Sequence, residues 1–110
     1  MKAAIFPPAA RTAIQAFRKT LCRELGKAIF NLQKDELLAM PLSRPRPSVS
    51  SGVEELRIWD GHRIYRAFYY AKSAQGILVF RAFVKKNQAT PKREPDLGKR
   101  RLKELLHEKI

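Results

Sequence analysis

The chain has 110 residues, 45% of them hydrophobic, with 23 Lys and Arg against 10 Asp and Glu, a formal charge of +13. That length suits one small domain, and the self-repulsion of so many cations favours a polyanionic partner such as nucleic acid. No apolar run approaches a membrane span, no export signal is present, the single Cys22 forms no intramolecular disulfide and no Cys/His cluster has metal spacing, so a cytoplasmic protein without a cofactor is expected.

Residues 1–6 read as a brief edge strand stopped by Pro7-Pro8. Over residues 9–32 the apolar positions Ala10, Ile14, Phe17, Leu21, Leu25, Ile29 and Leu32 recur at three- and four-residue spacing, a helical stripe. A break near residues 17–20 divides it into a helical hairpin. Cys22 on this stripe is expected to be a small buried hydrophobe. Gly26 is unfavourable inside a helix, and a close helix–sheet contact would explain it. Residues 37–51, with three prolines and four serines, have no usable period and read as loop.

The pattern then changes to strand. Residues 53–59 alternate and are followed by Asp60-Gly61, a hairpin cue. Residues 63–72 are rich in aromatics and end at the turn Ser73-Ala-Gln-Gly76. Residues 77–84 are the most apolar strand and therefore expected at the sheet centre. A last helix is predicted over 96–109, with Asp96 as N-cap and Leu97, Leu102, Leu105 and Leu106 as its stripe. The order of helix pair, three-stranded meander and terminal helix predicts a compact α+β fold of one domain spanning 1–110.

Each meander strand carries cations. Alternation puts Arg57 with Glu55 and Trp59, Arg66 with Ile64 and Phe68, and Arg81 with Val79 and Phe83. A helix pair covers one face of such a sheet, which would leave the other as a shallow concave surface of arginines rimmed by Lys85, Lys86 and Lys92. Parity leaves open which arginines share that face, because register is not encoded in it. In the bland alternative each arginine snorkels or pairs with Glu54, Glu55 or Asp60. His62, after the hairpin turn, reads as an exposed residue, and His107 receives no role. Trp59 at a strand end is the best candidate to stack a base, while Tyr65, Phe68, Tyr69 and Tyr70 read mainly as core. The basic face of Lys99, Arg100, Arg101 and Lys103 is equally consistent with solvation and RNA contact.

The segments Gly52-Val-Glu-Glu-Leu-Arg57, Ile64-Tyr-Arg-Ala-Phe-Tyr69, Phe83-Val-Lys-Lys-Asn-Gln-Ala-Thr-Pro-Lys92 and Leu97-Gly-Lys-Arg-Arg-Leu102 resemble the phage-derived branch of the RelE/HigB-like toxins of the RelE/ParE superfamily. Leu25-Gly-Lys-Ala28 and Leu32-Gln33 fit it too. The resemblance implies a RelE-like, microbial-RNase-like fold, a twisted antiparallel sheet cradled by helices. It implies a type II toxin that cuts mRNA in the 70S ribosomal A site, beside ribosomal RNA, and is held inactive by a helix-turn-helix antitoxin. Arg57, Arg66 and Lys86 match positions where such toxins place active-site cations. Lys85, Lys92 and Arg93 would then grip RNA backbone.

RNA is cut without a metal when its 2′-hydroxyl attacks the adjacent phosphate and cations neutralise the developing charge. Arginine suits that task because its planar fork matches phosphate oxygens and stays charged. Glu55 is a departure, standing beside Arg57 where relatives can carry another cation. Two other readings stay open: a non-catalytic basic RNA-binding protein, and a toxin that blocks a protein target such as DNA gyrase.

Overall fold

The computed structural model describes residues 1–38, 42–61, 63–85 and 93–107. In chain order these form β1 (Ala4–Ile5), α1 (Pro8–Gln15), α2 (Lys19–Gln33), β2 (Ser43–Pro45), β3 (Val53–Asp60), β4 (Arg63–Ser73), β5 (Gly76–Lys85) and α3 (Arg93–His107). The strands make one sheet in the order β1-β5-β4-β3-β2. The β3–β4–β5 meander and β2 are antiparallel, whereas β1 runs parallel to β5, so the sheet is mixed rather than wholly antiparallel. No helix among the described residues is long and apolar enough to cross a membrane.

The amphipathic stripe of α2 is borne out: Leu21, Leu25, Ile29 and Leu32 are buried, together with Ala28. The chain breaks between α1 and α2 at Ala16–Phe17–Arg18, and Phe17 packs edge-on against Tyr65 of β4, ring centroids 4.8 Å apart. Both helices make their main contacts with the sheet, α1 with β5 and α2 with β3 and β5. Cys22 is only half-buried; its thiol lies 3.2 Å from the Ile14 carbonyl and 3.6 Å from that of Phe17, where α1 ends.

Three expectations about the sheet are corrected. The stretch read as a continuous loop contains β2, whose Ser43 pairs with Leu56 and Pro45 with Glu54. A proline is tolerated there because β2 is an edge strand. The central strand is β4, not the more apolar β5. β5 is apolar because both its faces are covered, by α1 and α2 on one side and α3 on the other. For the same reason the second face is no open arginine surface. Val49, Val53, Phe68, Leu78, Phe80, Phe83 and Leu102 build a core there beneath α3.

α3 begins at Arg93, so Asp96 lies in its first turn beside Glu94 and is not the N-cap. Pro95 also belongs to that turn, where a missing N–H leaves no intrahelical bond unmade. Residues 108–109 of the predicted helix lie outside the described residues. Gly26 has open space where a Cβ would stand, so no close contact explains it. The close approach belongs to Gly98, where a Cβ would sit 2.8 Å from Cδ2 of Phe68. That glycine lets α3 press onto the sheet. Arg81 fastens the same helix, its Nε and Nη2 donating to the Glu94 carboxylate at 2.9 and 3.1 Å.

On the other face the edge strand is pinned by a buried hydrogen bond of 2.6 Å shared by the Ser43 hydroxyl and the Tyr69 phenol. Burial pushes the Tyr69 phenol from 10.0 up to about 12, helped by Glu54 and opposed by the Ser43 contact. An unfolded tyrosine therefore ionises at lower pH than this folded one. Its contribution is intact below about pH 10 and is lost as pH rises towards 12, on the order of 2 kcal/mol. Denaturant titrations at successive alkaline pH values should show that loss in the wild type. In Tyr69→Phe this component of the slope should disappear; an unchanged slope would remove Tyr69 as its source.

Candidate anion-binding site

Register settles what parity left open. Arg57 of β3 lies directly opposite Arg66 of β4, which in turn lies opposite Phe83 of β5. These side chains and those of Glu55 and Trp59 therefore share the α3 face of the sheet. Arg81 shares it too, opposite Phe68, but Val79 does not, contrary to simple alternation. The register shifts after Phe68, where Tyr69 pairs with Val79 and Phe80 is the extra residue. This bulge returns Phe80, Arg81 and Phe83 to the face of α3.

Glu55 is the hub, fully buried at 0% exposure. Arg66, only 1% exposed, donates from Nη1 to both Glu55 oxygens at 3.4 and 3.5 Å. Arg57 approaches with Nε 3.6 Å from Oε1, and Arg46 with Nε 3.9 Å from Oε2. Buried ions need partners because the interior screens and solvates them poorly. Among the described residues one carboxylate here faces three guanidinium groups. Desolvation lowers the pKa of Arg66; Glu55 opposes the shift, while Arg57 and Arg46 reinforce it. Arg57 and Arg46 thus place two further guanidinium groups beside the carboxylate that Arg66 faces.

The sequence did not single out Arg46. It follows β2, its N–H donating to the Val53 carbonyl at 2.9 Å and its carbonyl accepting from Val49 N–H at 3.0 Å. Only the pairing of β2 with β3 brings it to Glu55; the sole local signal is an arginine held between Pro45 and Pro47. Arg57 is likewise fixed by its backbone, whose N–H donates to Leu42 at 2.8 Å.

Solvent reaches the cluster at Trp59, which is 42% exposed. The Arg57 guanidinium lies over its ring, 4.8 Å from the centroid, within cation–π range. Arg57 and Trp59 also line a groove with Ile58, Leu42 and the α2 residues Glu24 and Lys27. Tyr65, Phe68 and Tyr69 are core, in line with expectation. Arg81 is diverted to Glu94.

Lys85 ends β5 opposite Ile64, on the strand pair that carries Arg66, and Arg93 opens α3. Lys86, Lys92 and His62 lie outside the described residues. Lys99, Arg100 and Lys103 are exposed and Arg101 is half-buried.

A family model described as "Phage derived protein Gp49-like (DUF891)" matches residues 12–103. No curated protein and no solved structure matches the chain.

Proposed function

Because the chain belongs to the phage-derived Gp49-like family, a RelE/ParE-like toxin family, we propose that it is a toxin that cuts messenger RNA. Members of that family are commonly the toxins of toxin–antitoxin systems, and an antitoxin is the partner this implies. The finer reading is cleavage in the ribosomal A site, with restraint by a helix-turn-helix antitoxin.

The observation that carries it is the cross-strand pair Arg57–Arg66, with the Arg57 guanidinium over the exposed ring of Trp59. A phosphodiester at Arg57 would have a base within reach of Trp59, and stacking on an aromatic is tolerant of sequence. In the reaction the 2′-oxygen bonds to phosphorus and loses its proton. The bond from phosphorus to the 5′-oxygen breaks, and that oxygen gains a proton, leaving a 2′,3′-cyclic phosphate. Negative charge on the non-bridging oxygens grows on the way, and positioned cations stabilise it. Arg57 meets those oxygens at the solvent margin, Arg66 strengthens the field from behind it, and Lys86 supplies a further cation. Lys85, Lys92 and Arg93 hold the RNA backbone.

Induced expression in a bacterial host, with primer extension on abundant transcripts, tests this. Wild type should arrest growth and leave discrete cuts in translated regions. Arg57→Gln combined with Lys86→Ala should abolish both while circular dichroism stays native. Arrest without cuts would point to a protein target instead. The deep burial of Glu55 and Arg66 favours a second reading, in which the cations only hold phosphates; then neither arrest nor cuts appear, and RNA affinity falls steeply with salt.

A further inference from the structure

A groove of about 440 Å³ lies between α2 and the end of β3 beyond its last pair with β2. Its base is apolar and held in place: Ala28 belongs to the main core, and Leu42 and Ile58 pack against it. The flat groups of Trp59 and Arg57 form one wall, the guanidinium 4.8 Å from the ring centroid. From the helix side two polar residues, Glu24 and Asn31, line the same space. The Asn31 backbone carbonyl is taken, accepting from the N–H groups of Lys34 and Glu36 at 3.1 and 3.0 Å. Its carboxamide has no hydrogen-bond partner among the described residues. Asparagine is a poor helix former, and here its side chain makes no local contact that would compensate. Glu24 has one ionic neighbour among the described residues, Lys27 at 4.0 Å, and both side chains are largely exposed, so the carboxylate stays open to a donor.

We propose that this groove is a nucleobase-reading subsite, with Trp59 as its stacking platform and Asn31 and Glu24 as specificity residues for a base that carries an exocyclic amino group. It deepens the nuclease reading, on which it rests for its biological ligand, by giving the RNA a base-specific contact on α2. A carboxylate only accepts hydrogen bonds and repels phosphate, whereas a carboxamide presents donor and acceptor in one plane. Beside an aromatic surface, that pair suits the edge of a base and not the RNA backbone. Glu24 accepts from the amino group, and Asn31 supplies a donor to the ring nitrogen next to it. Adenine and cytosine offer that combination. Uracil carries a carbonyl where they carry the amino group, so it turns an acceptor towards the Glu24 carboxylate and leaves it without a hydrogen bond. Lys27 lines the same groove and offsets the repulsion between Glu24 and the RNA backbone.

Trp59 is the single tryptophan of the chain, so its fluorescence reports on this groove. The purified full chain is titrated, at constant ionic strength, with uncleavable 2′-deoxy hexanucleotides of adenine, cytosine or uracil, equal in length and charge. All three should quench the wild type, because stacking tolerates any base. Adenine and cytosine should bind about tenfold tighter than uracil. Asn31→Ala and Glu24→Ala, each natively folded by circular dichroism, should reduce that preference to about twofold. Thr20→Ala, at an exposed position of the same helix, should leave it unchanged. Equal affinity for the three oligonucleotides, or a preference untouched by both substitutions, refutes base reading. Absence of quenching by any of them refutes the stacking platform. Quenching by hexaglutamate as strong as that by the oligonucleotides would assign the groove to an acidic protein segment and overturn the proposal too. Base preference without mRNA cuts in cells would leave the subsite standing and sink the nuclease reading. Cuts in cells, with oligonucleotide binding indifferent to the base, would do the reverse.

Discussion

Glu55→Ala is expected to lose about 3–5 kcal/mol of folding stability, the usual result of removing one partner from a buried ion cluster. A domain of this size has roughly 5–15 kcal/mol in total, so the variant should sit near the limit of folding. The cause is specific. Arg66 is 1% exposed, so it cannot turn to water when the carboxylate goes. Chemical denaturation of the two proteins measures the difference. A loss under about 1 kcal/mol would mean that the guanidinium groups find other compensation, and the hub role of Glu55 would be withdrawn. Replacing Glu55 and the three arginines together by apolar residues of similar volume should recover stability, since buried ion clusters often contribute less than well-packed hydrophobes. Such recovery would indicate that the cluster serves binding rather than folding.

On the proposed nuclease function, Arg66→Lys is expected to reduce mRNA cleavage by about 10²-fold while the protein stays folded. The substitution keeps the charge opposite Arg57 and next to Glu55, so the cluster keeps its charge count. What goes is the rigid, planar guanidinium that holds Nη1 against both Glu55 oxygens, and a flexible lysine ammonium does not fix that position in the same way. Loss of a single preorganised electrostatic element in a transition state commonly has an effect of that order. Primer extension on a reporter transcript in a translating extract, with equal amounts of folded protein, gives the ratio. Cleavage within threefold of wild type would show that charge alone suffices and that Arg66 has no geometric role.

Arg46 and Arg57 illustrate how differently the members of one site announce themselves. Arg57 lies in an alternating strand next to Trp59, and both its face and its companions follow from period-2 geometry. Arg46 lies among prolines and serines with no periodicity, and nothing local marks it. The Phe80 bulge misled the parity argument for the same reason. A single extra residue on β5, visible only in its pairing with β4, moves Val79 to the opposite face from Arg81. The glycine contact was displaced as well. Gly26 looked like the anomaly because it sits inside a helix, yet the residue that meets the sheet is Gly98, on a helix whose docking depends on Arg81 and Glu94.

The charge excess, the α2 stripe, the three meander strands with their turns and the arginine on each strand are legible in the chain without any tertiary information. These follow from composition and from short-range periodicities of 2 and 3.6 that any stretch of chain carries alone. Long-range packing is what brings β2 into the sheet, sets α3 over the second face and gathers Arg46, Arg57 and Arg66 at Glu55. Strand register and helix docking are non-local: they depend on which surfaces bury each other, and the carboxylate that gathers the cations belongs to no local pattern.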